Sequence, residues 1–185
     1  MTNNFFADNW ETLEKLALKI VPHFNMIKGK IPALDILKMF YANIDKVQKN
    51  IKFSDLTQCN KQNCSFCCHD TIMGTEFEMK ALGDYVKENK IEINQHNLEK
   101  QLSDEPLTFA EKACPLLKNG RCSIYEVRPF ICRTHNIVKG EDFNKCARGT
   151  ATDAPTEEIR ILELEAYPMA LVLSDLKIAR LIDYL

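Results

Sequence analysis

The sequence predicts a mostly α fold, with helical arms around an irregular cysteine-rich centre organised by a metal. Three observations carry this expectation. Apolar residues recur near a 3.6-residue period on both sides of the centre. No useful length of the chain alternates apolar and polar residues as a half-buried strand would. All eight cysteines lie between positions 59 and 146, with none in the first 58 residues or the last 39. The expected organisation is one domain of 185 residues. It has an N-terminal helical arm over 1–51, a cysteine-cluster region over 52–150 and C-terminal helices over 151–185.

The N-terminal arm reads as two helices. Asp8 and Glu11 fit a capping box ahead of a stripe of Trp10, Leu13, Leu16, Ala17, Ile20 and Val21. Pro22 and the Lys-Gly-Lys at 28–30 are expected to interrupt it. Pro32 suits the first turn of a second helix, whose stripe is Ile36, Leu37, Phe40, Tyr41, Ile44 and Val47. A third helix follows the first cysteines, with Thr75 and Glu78 as a capping box and Met79, Leu82, Tyr85 and Val86 as its apolar face. The polar stretch 87–105 suggests a short helix around Leu98 and Leu102. The C-terminal arm begins near Pro155 and carries Ile159, Leu162 and Ala166. Pro168 is expected to kink or break it. A last helix is expected to use Val172, Leu176, Ala179 and Ile182.

Lys and Arg number 24 against 26 Asp and Glu, a net charge of −2, which disfavours a strongly basic nucleic-acid binder. The first residues show no positively charged leader with an apolar core and a cleavage site. The longest apolar run, Tyr167 to Leu173, is seven residues, against the ~20 of a spanning helix. The expected compartment is therefore the cytoplasm, with no membrane contact. Thiols there stay reduced, and eight of them point to metal or redox chemistry before a disulfide framework. No two glycines are closer than nine positions, so neither a GxGxxG fingerprint nor a P-loop exists. There is also no GxSxG and no HExxH.

Four cysteines fall within ten residues: Cys59, Cys64, Cys67 and Cys68. A Cys-x2-Cys pair can turn both sulfurs onto one centre, as in zinc knuckles and iron–sulfur loops. The spacing from Cys59 to Cys67 also matches that of plant-type ferredoxins, without the surrounding strands of that fold. Four such residues in a polar loop are poorly explained as small apolar core residues. Cys114, Cys122, Cys132 and Cys146 form a second, looser group, separated by seven, nine and thirteen residues. Asn119-Gly120 signals a tight turn that would bring Cys114 back towards Cys122. A zinc ribbon would need a second Cys-x2-Cys, so these dispersed ligands must be gathered by the fold.

His69 and His135 stand near Cys68 and Cys132 and could replace a thiolate. Backbone or solvent hydrogen bonding is the simpler reading of both. Arg128 and Arg133 flank Cys132. They are read either as guanidinium groups that stabilise a thiolate-rich centre, or as a turn cap at Arg128 and a surface ion pair at Arg133. Tyr125 and Phe130 read as packing around the site.

The Cys-x2-Cys-Cys cluster followed by Cys114-Pro115 and the run CSIYEVRPFICR at 122–133 resembles the YkgJ-type cysteine-cluster proteins, described as zinc- or iron-chelating domains. The resemblance spans roughly residues 59–133 and leaves the arms outside. It implies Cys64, Cys67, Cys68, Cys114, Cys122 and Cys132 as the family cysteines, and Glu78 as an acidic position after the first cluster. The gap from Cys59 to Cys64 is longer than the family's leading pair. That makes Cys59 either a displaced ligand or a bystander, and Cys146 lies beyond the shared segment. Flagellin lysine N-methylases are similar in carrying a cluster of this kind.

Neighbouring side chains diverge, so Cys67 and Cys68 are not expected to share one tetrahedral ion. The preferred quartet is Cys64, Cys68, Cys122 and Cys132, and a two-centre site using all eight cysteines stays open. Zinc and an iron–sulfur cluster, a 4Fe-4S cluster among them, both stay open as the metal. The leading functional expectation is a metal-binding module whose helical arms contact a protein partner. The others are an iron–sulfur enzyme of redox chemistry or protein modification, and a metal sensor or chaperone.

Overall fold

The computed structural model describes residues 5–50, 56–58, 66–69, 71–103, 105–134, 137–139, 162–174 and 177–185. The protein is mostly helical, as the sequence predicts. In chain order the helices are α1 (Phe5–Ile27), α2 (Ala33–Asn50), α3 (Glu76–Glu88), α4 (Gln95–Leu102), α5 (Phe130–Thr134) and α6 (Leu162–Leu173). Short 3-10 turns lie at Phe66–His69, Tyr125–Val127 and Leu181–Tyr184.

The most extensive helix pairing is α1 against α6, and α2 and α3 complete the layer around it. On α2 the expected stripe holds: Ile36, Leu37, Phe40, Tyr41 and Ile44 are buried and Val47 packs beside them. On α1 the inward residues are Leu13, Ala17 and Phe24, while Trp10, expected in the stripe, is exposed. The helix already runs from Phe5, so Asp8 lies inside its first turn and does not cap it. There it still favours the positive end of the helix dipole.

The interruption expected at Pro22 is absent, and so is the break that is one of the two outcomes expected at Pro168. Pro22 sits inside α1 and Pro168 inside α6. A proline in a helix costs about 3 kcal/mol. Beyond Pro22, however, Phe24 is fully buried against Phe40 and edge-on to Phe77, at 5.2 Å between the last pair of ring centroids. Burying one such ring is worth about 2–3 kcal/mol, so packing past the proline offsets its penalty. Beyond Pro168, Ala170 and Leu171 are fully buried and act in the same way. α1 ends at Ile27, and the chain then turns at Gly29, whose φ of +80° a side chain would oppose. α2 then starts directly after Pro32, whose carbonyl accepts from Asp35 and Ile36.

A second core lies on the other face of α3. Met79, Leu82 and Val86 meet Ile72, Leu116, Ile124, Val127 and Leu181. The short helix expected near Leu98 is α4. Its Leu98 is buried and its Leu102 exposed, and Asn94 caps it by accepting from the Asn97 N–H.

Among the described residues three antiparallel strand pairs fasten the loops. β1 (Leu56–Gln58) pairs with β5 (Ile137–Lys139), Thr57 opposite Val138. β2 (Met73–Thr75) pairs with β6 (Ile178–Arg180), Gly74 opposite Ala179. β3 (Leu117–Lys118) and β4 (Arg121–Cys122) form a hairpin. Asn119 and Gly120 turn it at φ +52° and +72°, the signature of a type I′ turn. Strands of two or three residues are too short to alternate visibly in sequence.

The expected last helix is corrected by β6. Ala179 is in this strand, Ile182 is buried in the following 3-10 turn, and Val172 is an exposed residue of α6. Leu176 and Ile159 lie outside the described residues. The free edge of β2 offers backbone partners that a helix could not use, and the Leu181 N–H continues the contact by donating to the Ile72 carbonyl at 2.9 Å. That terminal turn presses on α3 at Gly83. A Cβ there would stand 2.6 Å from the Cβ of Tyr184 and 2.7 Å from its carbonyl oxygen. Gly to Ala gains about 1 kcal/mol in an open helix. Gly83→Ala should instead show a net loss of about 1–2 kcal/mol in urea unfolding, because the backbone of Tyr184 must move away.

Candidate metal centre

Described residues of both cysteine groups meet beside the second core. Cys68 lies in the 3-10 turn Phe66–His69, and its carbonyl accepts from the Cys114 N–H at 2.6 Å. Cys114, Cys122 and Cys132 all pack against the same buried cluster. These four residues are half-buried. The Asn119-Gly120 turn does fold this stretch back, setting Cys122 opposite Leu117, three residues after Cys114. The β1–β5 pair fastens the chain just before Cys59 to the chain between Cys132 and Cys146.

Cys67 belongs to the same 3-10 turn. Cys59, Cys64, Cys146 and His135 lie outside the described residues. Two of the preferred quartet, Cys122 and Cys132, therefore pack on the same core, Cys68 is tied to it through Cys114, and Cys64 is not described. Among the described residues no three His, Cys, Asp or Glu side chains form a ready cation site. The His69 ring stacks parallel on Phe109, with centroids 4.2 Å apart.

Beneath Cys132 lies a polar network set in the core between α2, α3 and α5. Thr75 caps α3 by accepting from the Glu78 N–H at 3.3 Å. The other half of the expected capping box is replaced. Glu78 turns its carboxylate inward, where Oε1 accepts from the Tyr41 hydroxyl at 2.8 Å and from the Phe130 N–H at 2.7 Å. Its Oε2 lies where a Cβ on Gly74 would stand, 2.6 Å away. Only a glycine at 74 leaves room for this carboxylate.

Burial pushes the Glu78 pKa up from 4.5 to about 7, against the opposing pull of the Phe130 N–H, the Tyr41 hydroxyl and the Arg133 charge. Burial, and then the Glu78 charge, hold the Tyr41 hydroxyl well above its ordinary value.

Arg133 is buried, which corrects the expectation of a surface ion pair. Its Nη1 lies 3.0 and 3.2 Å from the two carboxylate oxygens of Asp45. Its Nε donates to the Arg128 carbonyl at 2.9 Å, and Nη2 donates to the Glu126 carbonyl. Its guanidinium also lies 4.2 Å from the Tyr41 ring centroid. Arg128 stacks over Tyr125 at 3.9 Å. Tyr125 is exposed and Phe130 fully buried, so only Phe130 packs as expected.

Tyr41 and Asp45 had no role in the site reading from sequence. The available signal was a hydroxyl-bearing aromatic in an otherwise apolar stripe, with an acid four residues on along the same helix face.

The donor chemistry fits a transition metal. Thiolates select zinc, copper(I) and iron–sulfur clusters over hard cations such as magnesium and calcium. No curated protein and no solved structure matches the chain. The model of the CxxCxxCC family, described as "Putative zinc- or iron-chelating domain", matches residues 58–151, just over half of the chain and every one of its cysteines. With Cys114, Cys122 and Cys132 packed on one core and Cys68 joined to Cys114 through the backbone, the chain belongs to the CxxCxxCC family of zinc- or iron-chelating domains.

Proposed function

We propose that this protein is a metal-binding module in which cysteine thiolates hold zinc or an iron–sulfur cluster. The observation that carries the reading is the junction of Cys68 and Cys114 at the edge of the core that also seats Cys122 and Cys132. Cys64, Cys68, Cys122 and Cys132 are the preferred ligands. Cys67, Cys114, Cys59 and Cys146 are available to a cluster or a second ion. The metal cross-links segments whose described local structure is short strands, short helical segments and turns, so binding energy becomes folding energy in that region.

The donor set, richer in thiols than one tetrahedral ion needs, supports iron–sulfur at least as well as zinc. What the bound metal supplies is chemistry at sulfur, either a closed structural site or an electron-transfer centre. The chain's own residues gather the thiols and exclude water beneath them. The helical arms are proposed to contact a protein partner, and the protein to work in the cytoplasm. Among the described residues no helix is long and apolar enough to cross a membrane.

The test is anaerobic preparation, with elemental analysis and a visible spectrum on one sample. A brown protein carrying about four irons and four sulfides per chain would establish a cluster. A colourless one with about one or two zinc ions would establish a zinc module. Removing the metal should then lower the melting temperature and open the 59–146 region to protease. A chain without stoichiometric metal, whose eight cysteines all titrate as accessible thiols, would overturn the reading.

A further inference from the structure

Cys132 sits on α5, a helix of five residues. A helix this short has almost no stability of its own, so the direction of its side chains is set by whatever anchors it. Two anchors bracket Cys132. Two residues earlier, the Phe130 N–H is held by Glu78 of α3. One residue later, Arg133 is held at Asp45 of α2, at the Arg128 and Glu126 carbonyls and over the Tyr41 ring.

Every guanidinium nitrogen of Arg133 is directed at an acceptor, and the side chain is only 5% exposed. Such a fork fixes an orientation that a single ammonium point charge cannot. The partners lie 88 residues away in sequence at Asp45 and 52 residues away at Glu78. Residues of the N-terminal arm thus reach the base of a candidate ligand.

We propose that Arg133, anchored by Asp45, is the positioning residue that presents the Cys132 thiol to the metal, and that the N-terminal arm is thereby part of the metal centre. This rests on Cys132 being a ligand, as in the function proposed above. With the anchor in place, the thiol is oriented before metal arrives. Without it, the metal must order α5 on binding, and affinity falls. Loss of an outer-shell partner typically costs 10–100-fold in metal affinity. Linkage is reciprocal, so metal bound at Cys132 must in turn tighten α2.

The experiment uses the full chain with Co²⁺ as probe. It reads the thiolate-to-cobalt absorption, affinity by chelator competition, and amide hydrogen exchange along α2. In the wild type, Co²⁺ should slow exchange around Asp45. Arg133→Lys keeps the charge but loses the fork. Asp45→Asn keeps an acceptor but loses the charge. Both should bind Co²⁺ about 10–100-fold more weakly, with the protection of α2 on metal binding lost and helicity retained.

Asp45 is 45% exposed, so its variant should fold, and it decides the question if Arg133→Lys does not. Wild-type affinity in Asp45→Asn with only a lower melting temperature would overturn the positioning role and leave the metal reading standing. A wild type that takes up no Co²⁺, zinc or iron would overturn both.

Discussion

Glu78→Ala should destabilise the protein by about 3–5 kcal/mol at pH 5, measured by urea unfolding. The carboxyl group, through Oε1, is the shared acceptor of the Tyr41 hydroxyl and the Phe130 N–H. Each donor left unsatisfied in the core costs about 1–3 kcal/mol, and the vacated volume adds to the loss. The loss should shrink as pH rises, for a reason that also gives the pH profile of the wild type. Glu78 binds its proton more tightly folded, at about 7, than unfolded, at 4.5. The stability that this proton confers is complete below about pH 4.5. It declines as pH rises through 7 and is gone above that. The two values differ by enough to move stability by about 3 kcal/mol.

Glu78→Gln should remove that slope. Its amide oxygen can still accept from Tyr41 and Phe130, but it does not ionise. Other groups titrate in both proteins, so the readout is the difference between wild type and Glu78→Gln from pH 4.5 to 8. A constant difference would mean that water reaches the carboxylate. Arg133 and Tyr41 are the groups facing Glu78 that bear on this titration. Tyr41 stays protonated throughout the range, being held well above its ordinary value, and Arg133 stays charged.

Phe24→Ala should cost about 3–5 kcal/mol. The ring is fully buried between Phe40 of α2 and Phe77 of α3. It lies two residues beyond Pro22, so the size of the loss reports whether α1 stays docked past its proline. A loss below about 1 kcal/mol would mean that the C-terminal turn of α1 is not packed in solution. The same substitution at exposed Leu18 should be near neutral.

The sequence made α2 legible because one face of it is buried from Ile36 to Ile44, and a 3.6-residue stripe is all that requires. The cysteine clustering was legible because the signal is compositional. Pro22 misled because a proline's penalty is local, whereas the packing that overrides it comes from other helices, and the same packing keeps α6 unbroken at Pro168. Ala179 and Ile182 fitted a helical period by coincidence of spacing, and only the free edge of β2 reveals that they belong to a strand and a turn.

Glu78 is the most instructive case. Its spacing from Thr75 states a local bond, and half of that bond forms. Its side chain instead serves residues 37 and 52 positions away. A buried acid chooses among distant donors, and no short pattern encodes those. Arg133 stood beside a cysteine in plain view, yet its partner on α2 could not be named from spacing.

The pairing of β2 with β6 has a bearing on biosynthesis. The strand at 178–180 is translated after every cysteine, so on a growing chain all eight thiols emerge while β2 still lacks its partner. Non-local pairings of this kind also form late for reasons of loop entropy. The thiols are therefore available to metal before the β2–β6 seam closes, as well as on the finished fold, where Cys68, Cys114, Cys122 and Cys132 are half-buried.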